Sequence, residues 1–86
     1  MGPLEVVHTM QDLLDRFAAA PSEDKDMLID KIELFYEEHK DLKIRNEQLC
    51  PMTSKAVKYL DSAENDHQKQ VITKITLWCQ YHFFGS

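Results

Sequence analysis

Two cysteines and four histidines are the side chains of this sequence best suited to metal binding or nucleophilic chemistry. Cys79 and His82 are three positions apart, so a helix would present both on one face, and Cys50 at the end of the preceding predicted helix could approach them. Structural zinc sites use four ligands, usually including closely spaced pairs of cysteines, and this sequence has no such pairs. We therefore expect the cysteines to pack as small apolar side chains, and we predict no metal and no other cofactor.

No nucleophile in the sequence is arranged for catalysis. No serine has the glycine neighbours of a nucleophile elbow, and neither cysteine has a neighbouring histidine on a turn that would activate it. The carboxylates occur in solvated runs such as Glu37-Glu38 rather than among apolar residues that would raise their pKa. The chain is therefore predicted not to be an enzyme and to bind no small-molecule substrate.

Length and charge restrict the possible partners. An 86-residue chain with 43% hydrophobic and 29% charged residues supports one small domain with a modest core. The net charge of −5, with basic residues scattered among acids, argues against nucleic acid. No apolar run approaches the roughly 20 residues that cross a bilayer, so no membrane contact is predicted. Two cysteines suit a reducing compartment, which predicts an intracellular protein of the cytoplasm or nucleus.

Residues 22–50 form a stretch without glycine or proline, and its apolar spacing dominates the predicted architecture. Alternating steps of four and three residues define a seam of Leu28, Ile32, Phe35, His39, Leu42, Asn46 and Leu49. This heptad pattern predicts one long central helix over residues 22–50, with Ile32, His39 and Asn46 at the a positions and the other four residues at d. Such a helix would be about 43 Å long and would protrude from a compact domain of this size.

Further helices are predicted on both sides of the seam. Apolar spacing over residues 4–20 predicts an amphipathic helix that ends before Pro21, with Ser22 as the N-cap of the next helix. After Pro51 we predict a helix capped by Thr53 or Ser54 and a helical pattern over about residues 67–84, and one helix or two over residues 54–84 are both open. The expected fold is all-α: one bundle of three to five helices over residues 4–84, with residues 1–3 and 85–86 as added ends.

The seam predicts self-association. An asparagine buried at an a position is satisfied best by its counterpart in a parallel two-stranded dimer, so Asn46 favours homodimerisation. His39 suggests a pH-dependent contact, because two protonated imidazoles would repel across the dimer. The alternative is a monomeric bundle in which the helix breaks near Lys40-Asp41, Asp41 caps a short helix and Asn46 faces water. Either way we predict a non-catalytic association module excised from a larger protein.

The C-terminal segment is a second candidate surface. Four aromatic residues occupy seven positions, and a helix would spread them around its axis: Trp78, Tyr81, Phe83 and Phe84. They cannot all face one core, so some are predicted to contact a partner peptide or a second subunit. The other interpretation is that they close the end of the bundle.

Residues 51–78 carry a family resemblance. The segment begins with Pro51-Met52-Thr53-Ser54, continues through Val57-x-x-Leu60 and a polar break, and ends with Val71-Ile72-x-x-Ile75-x-x-Trp78. This arrangement resembles the end of the helical-bundle domain at the amino terminus of transcription elongation factors. It departs from that family after the tryptophan, where Cys79-Gln80-Tyr81 replaces the usual basic residues. The resemblance implies a bundle that binds short linear motifs of partner proteins.

Overall fold

The computed structural model describes the backbone of residues 2–85 and the side chains of residues 2–78. Within residues 2–85 the chain folds into four α-helices and contains no strand. The helices are α1 (Pro3–Ala19), α2 (Ser22–His39), α3 (Asn46–Tyr59) and α4 (Asp66–Gly85), and a short 3-10 turn, Leu60–Ser62, precedes α4. The prediction of an all-α bundle of three to five helices is confirmed.

One apolar core lies between the helices. α1 contributes a fully buried stripe at spacings of four, four and three residues, made of Val6, Met10, Leu14 and Phe17. α2 and α3 each pack against both α1 and α4. The core is completed by Val7, Leu28, Ile29, Ile32, Ile44, Leu49, Met52, Ala56, Val71, Ile72, Ile75 and Trp78.

The prediction of one continuous helix over residues 22–50 is wrong. α2 ends at His39, residues 40–45 are non-helical, and α3 begins at Asn46. The break carries Ile44 into the core, where 7% of its surface stays exposed, and allows Leu49 to be fully buried. A straight helix over the same residues would be about 43 Å long, whereas the longest dimension of the molecule is 37 Å.

Burial of apolar side chains compensates for the interrupted helix in this segment. Each fully buried aliphatic side chain contributes about 1.5–3 kcal/mol. Interrupting the helix gives up backbone hydrogen bonds with a net value of about 0.5–1.5 kcal/mol each, and water replaces part of that loss. The chain recovers one bond within the break, because the Leu42 N–H donates to the His39 carbonyl at 3.0 Å.

Two predicted helix boundaries are also corrected. Pro51 lies inside α3 rather than between helices. There it removes one backbone hydrogen bond, while its neighbours Leu49 and Met52 are fully buried. Ser22 is the first residue of α2 and not its N-cap, and its hydroxyl donates to the Glu64 carboxylate at 2.9 Å. The helices predicted over residues 4–20 and 67–84 correspond to α1 and α4.

Candidate functional site

The seven seam residues do not form one exposed stripe. Leu28, Ile32 and Leu49 are buried in the core, and Phe35 and Leu42 are half-buried against it. A second chain would reach these side chains only by displacing contacts within the first chain. Homodimerisation through the seam therefore stays a prediction, without a preformed surface in the folded chain.

The two polar seam residues lie at helix ends. The His39 ring stacks on Phe35 with centroids 4.2 Å apart, and its Nδ1 lies 2.8 Å from the Phe35 carbonyl oxygen. The last turn of α2 therefore holds this ring. Asn46 is the first residue of α3 and is half-buried. A role for His39 in a pH-dependent dimer stays a prediction.

Trp78 is a core residue. Its side chain is 2% exposed, and Tyr36 of α2 meets it edge-on, with ring centroids 5.1 Å apart and ring planes at 89°. Edge-to-face aromatic pairs stabilise by about 0.5–1.5 kcal/mol beyond the area that they bury. Trp78 therefore packs α4 against α2, and a partner would have to displace this contact to reach the indole.

Several predicted positions fall outside the described side chains. These are the partner-binding candidates Tyr81, Phe83 and Phe84, together with Cys79 and His82, which were considered as metal ligands. Cys50 is exposed on α3. Partner binding by the aromatic end therefore stays a prediction.

The side of α2 opposite the core carries two exposed apolar residues. Met27 and Leu34 are 53% and 62% exposed. Seven residues separate them, so they lie on the same side of the helix, about 10 Å apart along its axis. We define the outer α2 face as these two residues and the exposed charged residues around them: Glu23, Asp24, Asp30, Lys31, Glu37 and Glu38. This face could not be recognised in the sequence, because helical spacing alone does not separate its apolar residues from those of the seam.

The outer α2 face is strongly acidic. It carries five carboxylates and one lysine, which gives a formal charge of 1 − 5 = −4. At its C-terminal end, the Lys40 ammonium donates a hydrogen bond to the Glu37 carboxylate at 2.8 Å, and this contact lowers the pKa of Glu37 and raises the pKa of Lys40. Because negative charges concentrated on one face create a local field, this surface attracts cations and basic side chains.

A buried lysine fixes the opposite side of α2. Lys25 is 6% exposed, and its ammonium donates to the Ser62 carbonyl at 2.7 Å. The same ammonium lies 3.8 Å from the Glu64 carboxylate and 5.1 Å from the centre of the Phe17 ring. The Lys25 ammonium therefore points toward the interior and does not neutralise the carboxylates of the outer α2 face.

A buried amide joins α2 to the start of α4. Gln68 is 2% exposed, its Nε2 donates to Asp26 at 2.9 Å, and its Oε1 accepts from the Glu64 N–H at 2.8 Å. Asn65 also donates to Asp26, at 3.2 Å. The hydrogen bonds from Gln68 and Asn65 lower the pKa of the Asp26 carboxyl. These contacts set the position of the first turn of α4 against the middle of α2.

One helical turn further along α2, three side chains that can bind metals converge. The Nε2 of His67 lies 3.6 Å from a carboxylate oxygen of Asp30 and 3.8 Å from one of Glu33. The three ligand atoms all lie within 4.8 Å of one another. The second oxygen of Glu33 accepts a hydrogen bond from the Lys74 ammonium at 3.2 Å. We call Asp30, Glu33 and His67 the α2–α4 cluster.

A polar cluster on another side of the bundle joins α1 to α3. The Asp15 carboxylate accepts a hydrogen bond from the Tyr59 hydroxyl at 2.6 Å and another from the Lys55 ammonium at 3.0 Å. These contacts, Tyr59 first, lower the pKa of Asp15, and the hydrogen bond to Asp15 raises the pKa of Tyr59. These contacts hold α1 and α3 together.

A shallow depression along α4 is the weaker binding surface. It is lined by residues of that helix alone: Asp66, Lys69, Gln70, Thr73, Lys74 and Leu77. Leu77 is 50% exposed at one end. Because ligand sites are usually enclosed by several elements, one helical face offers little enclosure for a small molecule.

Comparison of the chain with protein-family models, curated proteins and solved structures finds no match. In the part of the chain that the structure describes, no helix has the length and apolar character needed to cross a membrane. The surface features of the chain itself therefore carry the functional inference.

Proposed function

We propose that the chain is a non-catalytic association module that binds a basic amphipathic helix of a partner protein on the outer α2 face. The observation that carries this proposal is the pair Met27 and Leu34, each more than half exposed and seven residues apart within an acidic surface. Single exposed apolar side chains are common on proteins. Two of them at heptad spacing on one face match the way that one helix presents anchors to another.

Charge complementarity selects the partner. The apolar pair is surrounded by five carboxylates and one lysine. A helix with two or three apolar anchors flanked by lysine and arginine would pair with these carboxylates and cover Met27 and Leu34. A second copy of this chain would instead bring an equally acidic face against the first, and like charges opposed across an interface are unfavourable. The face is therefore suited to a different protein.

The size of the face predicts a transient complex. Complete burial of an exposed apolar side chain contributes about 1.5–3 kcal/mol, and Met27 and Leu34, at 53% and 62% exposed, can each gain only part of that value. Association costs about 4–15 kcal/mol in lost freedom of motion. The remaining affinity must come from exposed charge pairs, which salt screens. We therefore expect weak binding that decreases steeply as the ionic strength rises.

Partner binding was also the alternative function predicted from the sequence, but there the binding surface was the aromatic C-terminal end rather than α2. Homodimerisation through the seam is the rival proposal. It would require Leu28, Ile32 and Leu49 to leave a core in which they are 9%, 0% and 0% exposed. The exposed pair on α2 requires no such rearrangement.

Titration of the isotopically labelled chain with a synthetic peptide tests the proposal. The peptide is a helical sequence with leucine at heptad spacing and lysine on both sides of that stripe. We expect NMR shift changes along residues 23–38, and we expect Leu34→Ser to weaken binding while leaving the fold intact. The matched control is Val57→Ser on α3, because Val57 is 58% exposed but lies outside the outer α2 face.

Three results would contradict the proposal. The first is a set of shift changes centred on the end of α4, which would favour the aromatic segment. The second is equal weakening by Leu34→Ser and Val57→Ser, which would indicate nonspecific adsorption. The third is a doubled mass in light scattering that persists on dilution and is lost in Leu34→Ser, which would assign the face to a second copy of this chain.

A further inference from the structure

We propose that Asp30, Glu33 and His67 bind a divalent transition-metal ion, with Zn²⁺ as the best fit, where α2 and α4 meet at the surface. This site goes beyond the association proposed above and does not depend on it. The sequence did not indicate it, because the three ligands come from two helices and form no short motif. Only packing of α4 against α2 brings His67 to the two carboxylates.

The distances from His67 to the two carboxylates are longer than direct hydrogen bonds and come close to the distances between ligand atoms in a zinc coordination shell. Hydrogen bonds between nitrogen and oxygen span about 2.7–3.2 Å. The His67 Nε2 is 3.6 Å from the Asp30 oxygen and 3.8 Å from the Glu33 oxygen. Ligand atoms at Zn²⁺ bond lengths of about 2.0–2.1 Å in a tetrahedron lie about 3.3 Å apart. All three ligand atoms lie within 4.8 Å of one another, so side-chain rotations that shorten these distances would place them on one ion.

The donor set favours a transition metal over Ca²⁺ or Mg²⁺. Hard cations take shells of oxygen ligands, whereas imidazole nitrogen suits Zn²⁺, Cu²⁺ and Ni²⁺. Zinc sites with three protein ligands can combine imidazole with carboxylate, as in sets of two histidines and one glutamate, and this cluster offers the same two ligand types in the ratio of one to two. In this site the side chains of Asp30 and His67 are 72% and 50% exposed, which leaves room for a water molecule in the fourth position.

The ligands are held in place by packing outside the cluster. Asp30 and Glu33 lie three residues apart on α2, so they share one side of that helix. His67 lies in the first turn of α4, next to Gln68, whose buried amide donates to Asp26 at 2.9 Å. Binding an ion therefore needs side-chain adjustment but no movement of one helix relative to the other.

Lys74 limits the expected affinity. Its ammonium occupies one oxygen of Glu33 at 3.2 Å and orients the other toward His67. Outer contacts of this kind orient metal ligands, but a positive charge next to the ion also opposes binding. With three protein ligands, high exposure and a neighbouring lysine, the site should bind Zn²⁺ more weakly than a four-cysteine site does.

Titration of the metal-free chain with Zn²⁺ by calorimetry tests the site. We expect one ion to bind per chain and the thermal midpoint of unfolding to rise with the Zn²⁺ concentration, because the ligands converge only in the folded state. His67→Ala and Asp30→Asn should each weaken binding by about tenfold or more. His8→Ala is the matched control, because His8 is an exposed histidine on α1 away from the cluster.

Substitution by Co²⁺ separates this site from a cysteine site. Imidazole and carboxylate ligation gives visible bands without the intense near-ultraviolet charge-transfer band of a thiolate. That thiolate band, or loss of binding in Cys79→Ser but not in His67→Ala, would overturn the proposal. No saturable binding by the intact chain, or equal binding by wild type and His67→Ala, would leave the cluster as an ion-pair network and would also overturn it. Asp30 belongs both to this site and to the outer α2 face, so the two proposals are separated by residues that belong to only one of them. Leu34 is not a ligand, and Leu34→Ser therefore tests the peptide surface alone. His67 lies outside the outer α2 face, and His67→Ala therefore tests the metal site alone, with the peptide titration kept in metal-free solution.

Discussion

Replacing Ile44 by alanine tests the break between α2 and α3. Ile44 lies in the non-helical segment and is 7% exposed, so the substitution removes three buried carbon atoms from the edge of the core. Substitutions of buried isoleucine or leucine by alanine cost about 2–5 kcal/mol, and the cost is lowest where the surroundings can relax. Because this segment has no regular hydrogen bonding to hold it open, we expect a loss of about 2–3 kcal/mol in the free energy of unfolding.

Such a loss is easily measured in a domain of this size. Small domains are stable by about 5–15 kcal/mol, and each kcal/mol corresponds to about 4–8 °C in the thermal midpoint. Urea unfolding can be followed through the fluorescence of Trp78, the one tryptophan in the sequence, which is 2% exposed in the folded chain. The matched control is Leu34→Ala, which should change the stability by less than about 0.5 kcal/mol because Leu34 is 62% exposed.

The expected change in the free energy of unfolding differs between the folded-back segment and a continuous helix. In one continuous helix over residues 22–50, Ile44 would lie beside the seam and outside the core, and alanine is a better helix former than isoleucine. Ile44→Ala would then be neutral or slightly stabilising. A change within about 0.5 kcal/mol of that for Leu34→Ala would refute the folded-back segment.

Three further substitutions test individual contacts. Asp15→Asn should reduce the free energy of unfolding at neutral pH by only about 1 kcal/mol, because the Asp15 side chain is 46% exposed. Folding lowers the pKa of Asp15 below its ordinary value of 3.8. The stabilisation is therefore present above pH 3.8 and is lost as the pH falls through the folded-state pKa. Urea unfolding at several pH values checks this, with Asp12→Asn as a control that should have little effect, because its partner Arg16 is exposed. Lys25→Met should cost about 1–3 kcal/mol in urea unfolding, because it leaves the Ser62 carbonyl without its donor at 2.7 Å; a stability equal to wild type would show that water replaces the ammonium. Asn46→Leu should leave the mass measured by light scattering unchanged. A larger mass, or a dimer that persists on dilution, would instead support the seam as a dimer interface.

The parts of the fold that the sequence predicted well have one unambiguous apolar side. In α1, Val6, Met10, Leu14 and Phe17 recur at helical spacing with polar residues opposite, and all four are fully buried. In α4, Val71, Ile75 and Trp78 do the same. Where apolar residues occupy one side only, local spacing fixes both the helix and the direction of the core.

The prediction of a continuous helix through the seam was wrong for a physical reason. Spacings of three and four residues predict which residues share one side of a helix, but they do not predict where that helix ends. Residues 40–45 contain no proline or glycine to signal a break. What ends α2 is the gain from burying Ile44 and Leu49, which depends on α1 and α4 and is not encoded between residues 22 and 50.

The two candidate binding surfaces also depend on how the helices pack, which local sequence does not reveal. His67 meets Asp30 and Glu33 only because Gln68 and Trp78 pack α4 along α2, so no window of sequence could reveal the α2–α4 cluster. Met27 and Leu34 carry information for a different reason. The apolar residues on the inner side of α2 are buried in the core, whereas Met27 and Leu34 remain more than half exposed. An apolar pair that stays more than half exposed after the core is complete supports the proposed association better than the seam does, because a partner can reach it without displacing core contacts.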